Sequence, residues 1–373
     1  MLAGTLIIEI EGLGPAPFAA MTLADMGADV IVVHRPGGTP SPGLPERSIL
    51  DRGKRSITLD LKDAADIETL GKLVESAHGL IEGFRPGVME RLGLGPDWAQ
   101  ALNPSLVYGR MTGWGQQSPL AQTAGHDLNY VSLSGAAWFA SNQGETPFPP
   151  PTLVGDIGGG AMYLVAGMLA GILKATSTGT GTIVDAAMYD GSAHLMNLLM
   201  TLRQGGGMTG ARGQNLLDGP HWSRCYACAD GKYISVQSLE PRFYAVFLDI
   251  LNLSSDPDFK QQFNKSLWPT LTNRLAIIFA TRTRHAWAEL FEGSDACVAP
   301  VLSPDEALNH PMNAARQTWS VVDGALQAAP APRFDGHCHI PGPIPNRGQH
   351  DQEIRAEIEE LSSARPTAAK KHS

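Results

Sequence analysis

The opening of the chain alternates strand, turn, helix and strand, and this order restricts the fold more than any other feature of the sequence. Residues 5–10 and 29–33 are apolar runs of strand length, and residues 18–26 between them are predicted as a helix. Two strands joined by a helix in this way lie parallel in one sheet, with a right-handed crossover. The same alternation continues in strands predicted at residues 56–60, 79–82, 106–110 and 181–186 and in helices predicted at residues 64–76 and 161–174. We therefore predict an α/β domain with an open parallel sheet.

The composition changes near residue 190, where this pattern gives way to a stretch rich in Leu, Met and Gly. We predict that residues 191–222 link two domains. Residues 1–190, completed by residues 330–373, are expected to form the large, Rossmann-like α/β domain. Residues 223–329 are expected to form a smaller α+β domain.

Charge and composition disfavour several classes of partner. The chain has 373 residues and a formal net charge of -9, which argues against nucleic acid as the main partner because phosphate binding needs a basic field. Its longest apolar run, near residues 161–173, is shorter than the ~20 residues that cross a bilayer. The start lacks the basic region of a secretory signal. We therefore predict a cytoplasmic protein that binds neither nucleic acid nor a membrane.

The four cysteines do not make a disulfide framework in a chain of this length. A zinc site could be drawn from Cys225, Cys228 and Cys338, the last of which lies between His337 and His339. A structural zinc usually uses two well-spaced ligand pairs, and this spacing does not supply them. We therefore predict no metal site and interpret the cysteines as ordinary thiols in a reducing compartment.

The first turn and the strand ends favour a ligand with several phosphates. Gly12-Leu-Gly14-Pro-Ala-Pro17 resembles a dinucleotide-binding loop, but it has Pro where a third Gly is needed. The second strand ends in His34-Arg35, without the acidic residue that binds the ribose of NAD. Other basic residues near predicted strand ends are Arg52, Lys54, Arg55, Arg85 and Arg91. Each alone is compatible with a solvated surface charge, but ligands of open sheets bind at these ends and guanidinium groups pair well with phosphates.

Several longer motifs distinguish this sequence from a general α/β protein. Four segments resemble the family III CoA-transferase (CaiB/BaiF) superfamily: GPAPFAAMTLADMGADVI from Gly14, IEGFRPGVMERLGLG from Ile81, RMTGWGQ from Arg110 and VDAAMYDG from Val184. Two more resemble its alpha-methylacyl-CoA racemase branch: GHDLNY from Gly125 and GDIGGG from Gly155. The similarity extends to DACVAPV from Asp295 and PAPRF from Pro330, so it covers nearly the whole chain.

The resemblance implies an interlocked homodimer with the active site between the large domain of one subunit and the small domain of the other. It implies that the large domain binds CoA, with Arg35, Lys54, Arg85 and Arg91 near it. CoA is then part of an acyl-CoA substrate, and no separate cofactor is expected. It also implies that (R)- and (S)-2-methylacyl-CoA thioesters are interconverted. Candidates for an apolar surface under the acyl chain, or for ordinary core packing, are Met21, Met188, Met196, Met200 and Met208.

Racemisation beside a thioester needs one group that removes a proton from one face of the carbon and another that delivers a proton to the opposite face. His126 fits because histidine side chains ordinarily titrate near neutrality, although a lone His is more often structural. Asp156 is the second candidate base; without the family it would be interpreted as a cap of the helix that follows it. The resemblance places Glu240 beside His126 of the partner subunit and gives the neighbouring Asp127 a supporting role.

Two other functions stay open at this point. A CoA-transferase of the same superfamily would use Asp156 as a nucleophile and form an acyl anhydride. Such transferases often carry a run of glycines over the site, which residues 214–220 lack. A CoA-binding module without catalysis is disfavoured because His126, Asp156 and Glu240 occur together. If the two bases share one proton, their coupled titration predicts a bell-shaped pH–rate profile.

Overall fold

The computed structural model describes residues 1–38 and 45–364, so the end of the predicted segment 330–373 lies outside the described residues. The strands, in chain order, are β1 (Leu6–Ile10), β2 (Asp29–His34), β3 (Arg55–Thr58), β4 (Gly79–Glu82), β5 (Val107–Thr112), β6 (Thr182–Ala187), β7 (Ser223–Ala227), β8 (Tyr233–Gln237), β9 (Val298–Val301), β10 (Trp319–Val322) and β11 (Ala325–Ala328). The α-helices are α1 (Pro15–Asp25), α2 (Ala64–Ser76), α3 (Val88–Arg91), α4 (Pro96–Leu102), α5 (Asp127–Leu133), α6 (Met162–Thr178), α7 (Met188–Leu195), α8 (Asn197–Gln204), α9 (Pro241–Ile250), α10 (Trp268–Phe279), α11 (Arg284–Phe291), α12 (Pro304–Leu308), α13 (Pro311–Arg316) and α14 (Asp351–Ala364). Short 3-10 helices are Ile49–Asp51, Ala136–Phe139 and Lys265–Leu267, and a π-helix, Leu153–Ala161, runs into α6.

The chain divides into two compact units. The first contains Met1–Ala136, Pro150–Leu195 and Ala314–Ser373, and the second contains Ala137–Pro149 and Met196–Asn313. The domain borders drawn from the sequence at residues 190, 222 and 329 stay predictions.

The first unit is built on six parallel strands in the order β3-β2-β1-β4-β5-β6. This confirms the predicted open parallel sheet. The chain moves outward from β1 to β3 and then returns to the other side of β1 to form β4. The connections after β1 and β4 therefore run in opposite directions and leave a crevice at the carboxyl ends of these strands, where ligands of open α/β sheets bind.

Both faces of this sheet are buried because successive side chains of a strand point to opposite faces. Ile8 lies in a core with Leu70 of α2, while its neighbour Ile7 lies in a second core with Leu164 of α6. Ile354 of α14 belongs to the first of these cores. The C-terminal helix is therefore part of the sheet-bearing unit.

The π-helix and α6 together form a long apolar element, which is longer than the helix predicted at residues 161–174. The continuous element Leu153–Thr178 has the length and the apolar composition that would let it cross a membrane. However, Leu164, Val165 and Met168 are buried in the same core as Val107 of β5. Packing of this kind is typical of a core helix that covers a sheet.

The second unit contains a separate antiparallel sheet in the order β7-β8-β9. The helices α9, α10 and α11 cover it and contribute Phe247, Phe279 and Trp287 to a core that also contains Trp222. This arrangement agrees with the predicted α+β character of the smaller part of the chain. Helix α8 lies within the stretch that was predicted to be a linker.

Candidate active site

A cleft of about 380 Å³ opens at the crevice between β1 and β4. It is enclosed by the segments that follow β1, β4 and β5, whose carboxyl ends meet at one edge of the sheet. The residues that line it are Leu13, Gly14, Pro15, Gly83, Phe84, Arg85, Pro86, Met111, Thr112, Gly113, Trp114, Ala121, Thr123, Ala124, Gly125, His126, Tyr130, Asp156 and Met188. His126 and Asp156, 30 positions apart in the sequence, thus face the same cavity.

Gly14 forms the wall of the cleft at the start of α1. Its φ of 65° and ψ of -111° are a conformation that favours glycine. The helix begins immediately afterwards at Pro15, three residues before the predicted start. Proline fits the first turn because it has no N–H, and N–H groups of the first turn have no hydrogen-bond partner within the helix. A Cβ on Gly14 would lie 3.8 Å from Oδ2 of Asp156, so this bare turn borders the carboxylate directly.

His126 is the N-cap residue of α5. Its backbone N–H donates to Oδ1 of Asn129 at 3.1 Å, and its carbonyl accepts the N–H of Asn129 at 2.8 Å. The backbone is therefore fixed at the helix start, while the imidazole is exposed in the cleft. A neutral imidazole in this position can accept a proton from a bound molecule.

Asp156 lies inside the π-helix, whose N-cap is Thr152, so it does not cap that helix as a reading of the sequence alone suggested. Its carboxyl is half-buried. Burial, followed by the charge of Asp127, raises the pKa of Asp156 to about 6, and His126 acts in the opposite direction. Near neutral pH this group can therefore both release and accept a proton. Irregular π-helical turns are frequent at functional sites.

Unlike His126 and Asp156, Asp127 does not line the cleft. Its side chain is buried, and its carboxylate accepts backbone N–H groups at the start of the π-helix. The structure thus brings Asp127 next to Asp156 but assigns it a different environment.

Two aromatic residues of the cleft were missed by reasoning from the sequence. Tyr130 stands edge-on against Trp114, with ring centroids 4.8 Å apart, and its hydroxyl donates to the carbonyl of Gly125. Gly113 allows this ring to lie against the backbone, since a Cβ there would overlap it. Tyr130 therefore supports the residue that precedes His126. Tyr130 lies in the motif GHDLNY and Trp114 in the motif RMTGWGQ, so membership of these motifs could have identified both as site residues.

The buried methionines include residues that line the cleft and residues that do not. Met188 lines the cleft, as does Met111, which the sequence analysis did not select. Met21 is buried on α1, and Met208 is buried in the second unit. A purely apolar signal thus does not separate a substrate surface from ordinary packing.

A second cavity, of about 640 Å³, adjoins the cleft and shares Leu13, Gly83 and Phe84 with it. Arg35 and Arg91 line it together with Lys62, and Arg85 lines the cleft next door. The three arginines are exposed, and none forms an ion pair within residues 1–38 and 45–364. Two carboxylates, Glu11 and Asp60, also line the cavity, and Glu11 is paired with Arg347. Apolar side chains in the lining are Ile10, Val33, Leu59, Leu61, Val88 and Leu92. A cavity with apolar walls and unpaired cations suits a ligand with a flat apolar part and several phosphates.

Comparison with known sequences decides the family. The profile of CoA-transferase family III matches residues 2–351. The chain belongs to this family. The resemblance seen in the motifs is thereby confirmed over nearly the whole length.

Members of the family with known or assigned activities differ in their similarity to this chain. An alpha-methylacyl-CoA racemase from Mus musculus is 38% identical over 363 residues, which are 96% of this chain and 93% of the relative. An acetyl-CoA:oxalate CoA-transferase from Acetobacter aceti is 27% identical over 354 residues, which are 90% of this chain and 89% of the relative. The crystal structure of a CAIB/BAIF family protein from Brucella suis superposes with a TM-score of 0.78 at 24% identity, covering 95% of this chain and 98% of that one. This last likeness establishes the fold.

Lys54, which the family resemblance associated with CoA, lines neither cavity. Its ammonium group is fully buried and donates to Oε2 of Glu9 at 2.5 Å and to the carbonyl of Pro17 at 3.2 Å. Burial raises the pKa of Glu9, and the charge of Lys54 acts against this rise. The positive charge is therefore already compensated inside the sheet-bearing unit.

Glu240, the fourth predicted site residue, belongs to the second unit. It is the exposed N-cap residue of α9, with Pro241 in the first turn. Its charge also contributes to raising the pKa of the Cys297 thiol, although burial is the larger cause. Its predicted contact with His126 of the partner subunit stays a prediction. Within the described residues, no group of three or more His, Cys, Asp or Glu is arranged to hold a metal ion.

Proposed function

We propose that this protein is a racemase that interconverts (R)- and (S)-2-methylacyl-CoA thioesters by two-base 1,1-proton transfer. The observation that carries the proposal is the presence of His126 and Asp156 in one cleft at the carboxyl edge of the sheet. An imidazole and a carboxyl whose pKa is raised to about 6, both facing one cavity, are the kind of pair that proton exchange at a single carbon needs.

In the reaction, one of the two groups takes the proton from the carbon beside the thioester carbonyl. The electron pair of that C–H bond passes into an enolate, whose negative charge lies mainly on the thioester oxygen. The conjugate acid of the other group then delivers a proton to the opposite face of the carbon. In the direction in which neutral His126 removes the proton, Asp156 must start protonated so that it can deliver one. In the reverse direction, Asp156 starts ionised and His126 starts protonated. A carboxyl with a pKa of about 6 can serve in both roles.

The family also contains transferases, and the pattern of identity supports the racemase function. The racemase relative is 38% identical to this chain, whereas the acetyl-CoA:oxalate CoA-transferase is 27% identical. A transferase in which Asp156 attacks the thioester would give His126 no role in forming the anhydride. The cleft instead presents both side chains to the same space.

For the substrate, we propose that CoA lies in the second cavity and that its acyl group enters the cleft. Arg35 and Arg91 would then pair with phosphate oxygens, and Arg85 would stand between the two cavities. Lys54 would support the site from inside by holding the start of α1 through the carbonyl of Pro17. CoA enters this scheme as part of the substrate, and no separate cofactor is invoked.

We further propose a homodimer in which Glu240 of the partner subunit orients His126. Each unit of the chain exposes large apolar side chains that an interface would cover. In the first unit these include Leu128, Leu133, Leu153 and Leu173, and in the second unit Leu198 and Ile277. Mixing His126→Ala protein with Glu240→Ala protein tests this arrangement. Mixed dimers would contain one intact site, so activity should return; two inactive proteins that stay inactive after subunit exchange would exclude it.

Deuterium uptake tests the reaction itself. (R)- and (S)-2-methylacyl-CoA esters are incubated with the protein in heavy water, and isotope content and configuration at the carbon beside the carbonyl are measured. Uptake with inversion, lost in His126→Ala and Asp156→Asn proteins, is the expected result. Trapping of an acylated Asp156 by hydroxylamine, together with CoA transfer to a free acid, would establish the transferase function instead. The cytoplasmic location expected from the sequence can be tested by cell fractionation.

A further inference from the structure

Asp127 follows His126 directly in the chain, but its side chain is bound to the segment that carries Asp156. Oδ1 accepts the backbone N–H of Gly155 at 3.0 Å and of Asp156 itself at 2.9 Å. Oδ2 accepts the N–H of Thr152 at 3.1 Å. One buried carboxylate thus joins the first residue of α5 to the start of the π-helix, across more than 20 positions of sequence.

We propose that Asp127 is a positioning residue that sets the separation of His126 and Asp156, and that it transfers no proton itself. This inference rests on the proposed racemase function. Because both candidate bases are attached to Asp127, one through a peptide bond and the other through its own N–H, displacement of this carboxylate changes their relative position. Hydrogen bonds to a carboxylate are shorter and roughly twice as strong as neutral ones, which suits such a fixed attachment.

The backbone around the contact is shaped to receive the carboxylate. Gly155 has no side chain, and a Cβ there would overlap Oδ1 of Asp127. Thr152 has a φ of 64°, a left-handed conformation that is unfavourable for a residue with a branched Cβ. Such a conformation persists where the surroundings fix it, and the hydrogen bond from Thr152 to Asp127 is one such constraint.

The same contacts disfavour a role for Asp127 in proton transfer. Three backbone N–H groups occupy most of the acceptor positions of its two oxygens, and these hydrogen bonds favour the ionised form. Asp127 is also absent from the residues that line the cleft. A molecule bound between His126 and Asp156 therefore has no direct path to this carboxylate.

The charge of Asp127 also affects the neighbouring acid. It contributes to the raised pKa of Asp156, after burial, and the charge of His126 opposes it. The groups around Asp156 are Asp127, His126 and Tyr130 from the start of α5 and Gly14 from the start of α1, while Gly191 and Ser192 of α7 pack on Gly159 of the same π-helix. Removing the charge of Asp127 should therefore lower the pKa of Asp156.

The test compares Asp127→Asn with Asp63→Asn. Asp63 caps α2 by accepting the N–H groups of Ala65 and Asp66, so the control makes the same chemical change at a helix start outside the cleft. We expect Asp127→Asn to lower kcat about 100-fold in both directions, the size of effect that a displacement of ~1 Å produces. KM should stay within about twofold, since the cationic residues of the second cavity are untouched, and the limb of the pH–rate profile set by Asp156 should move to lower pH. Asp63→Asn should match the wild type.

A second variant separates geometry from charge. Gly155→Ala places a methyl group against Oδ1 of Asp127 without changing any charge. It should lower kcat in both directions and leave the pH limb in place. This result would support the inference even if Asp127→Asn failed to fold.

Three outcomes would overturn the inference. Asp127→Asn could match Asp63→Asn in kcat and pH profile, or it could abolish exchange for one enantiomer only, as expected for a proton donor. Gly155→Ala could retain full kcat. A wild-type protein without any exchange would overturn the proposed function and this inference with it, whereas exchange in the wild type with no response to these variants overturns the inference alone.

Discussion

Basic residues near the ends of the parallel strands occur in two different settings. Lys54 is fully buried and pairs with Glu9 at 2.5 Å and with Asp51 at 3.4 Å. Arg35 and Arg91 are exposed at the second cavity and have no ion pair among the residues that the structure describes. The comparison teaches that residue type and position near a strand end do not define a binding group. A paired interior charge stabilises the fold, and an unpaired charge at a cavity is available to an incoming anion.

Asp156 lies between these two settings. It is half-buried, as part of a core-facing helix, yet it faces the cleft. Its pKa of about 6 results from burial and from the charge of Asp127, with no cation bound tightly enough to cancel them. We therefore expect variants of Asp156 to affect mainly catalysis, variants of Lys54 mainly stability, and variants of Arg91 mainly binding.

The largest effect is expected for Asp156→Asn. The substitution keeps the size of the side chain and removes the proton-transfer group, so kcat should fall about 10²–10⁴-fold. The free energy of unfolding should change little, because no partner of a buried ion pair is lost. Kinetics and urea unfolding of the same protein sample measure both quantities. A variant that kept its kcat would show that this carboxyl belongs with the structural charges.

Lys54→Ala should have the reverse signature. It leaves Glu9 buried without its partner, which typically costs about 3–5 kcal/mol of stability. The protein that remains folded should bind CoA esters with nearly unchanged KM. Lys72→Ala is the matched control, because Lys72 pairs with Glu68 on the exposed face of α2. A large rise in KM with unchanged stability would instead place Lys54 in the binding site.

Arg91→Ala should weaken binding and leave stability unchanged. Loss of a charge-assisted hydrogen bond to phosphate is expected to raise KM about tenfold. The same change at the exposed Arg316, on α13, is the control. Equal KM values for the two variants would contradict the placement of CoA in the second cavity.

The pH dependence should report the state of Asp156. Since its pKa is raised from 3.8 to about 6, the carboxyl is protonated below that pH and ionised above it. In the direction that needs the ionised form, kcat should fall about tenfold per pH unit below this value, and in the other direction protonated Asp156 is lost above it. Opposite enantiomers assayed over the same pH range measure the two directions. A limb near pH 4 would show that the carboxyl is not shifted.

The smallest effect is expected for Tyr130→Phe. It removes the hydrogen bond to the carbonyl of Gly125 but keeps the ring against Trp114, so stability should fall by about 1 kcal/mol and kcat by a few-fold. Tyr163→Phe, which removes a contact with His194 at the surface, is the control. Equal stability of the two variants would show that the Gly125 contact contributes nothing measurable.

Much of the fold could be predicted because local patterns and local structure coincide here. The helix predicted at residues 64–76 begins and ends as α2 does, since Asp63 supplies the cap and the apolar spacing supplies the buried face. Strand bounds of the parallel sheet were within two residues for the same reason. The start of α1 was predicted too late because two prolines resemble a turn in sequence but fit a first helical turn in space.

The sequence by itself determined the parallel sheet, the family and the candidates His126 and Asp156. Hydrophobic periodicity and sequence motifs depend only on residues that are close together in the chain. Only the tertiary structure decided that Lys54 is neutralised while Arg91 is not. That outcome depends on β3 and β1 being separated by one strand, so that Lys54 just before β3 meets Glu9 of β1. The attachment of Asp127 to the backbone of Asp156 was likewise decided by a contact between distant segments. Burial and pairing are properties of such contacts, and they set whether a charged group supports the protein or faces its ligand.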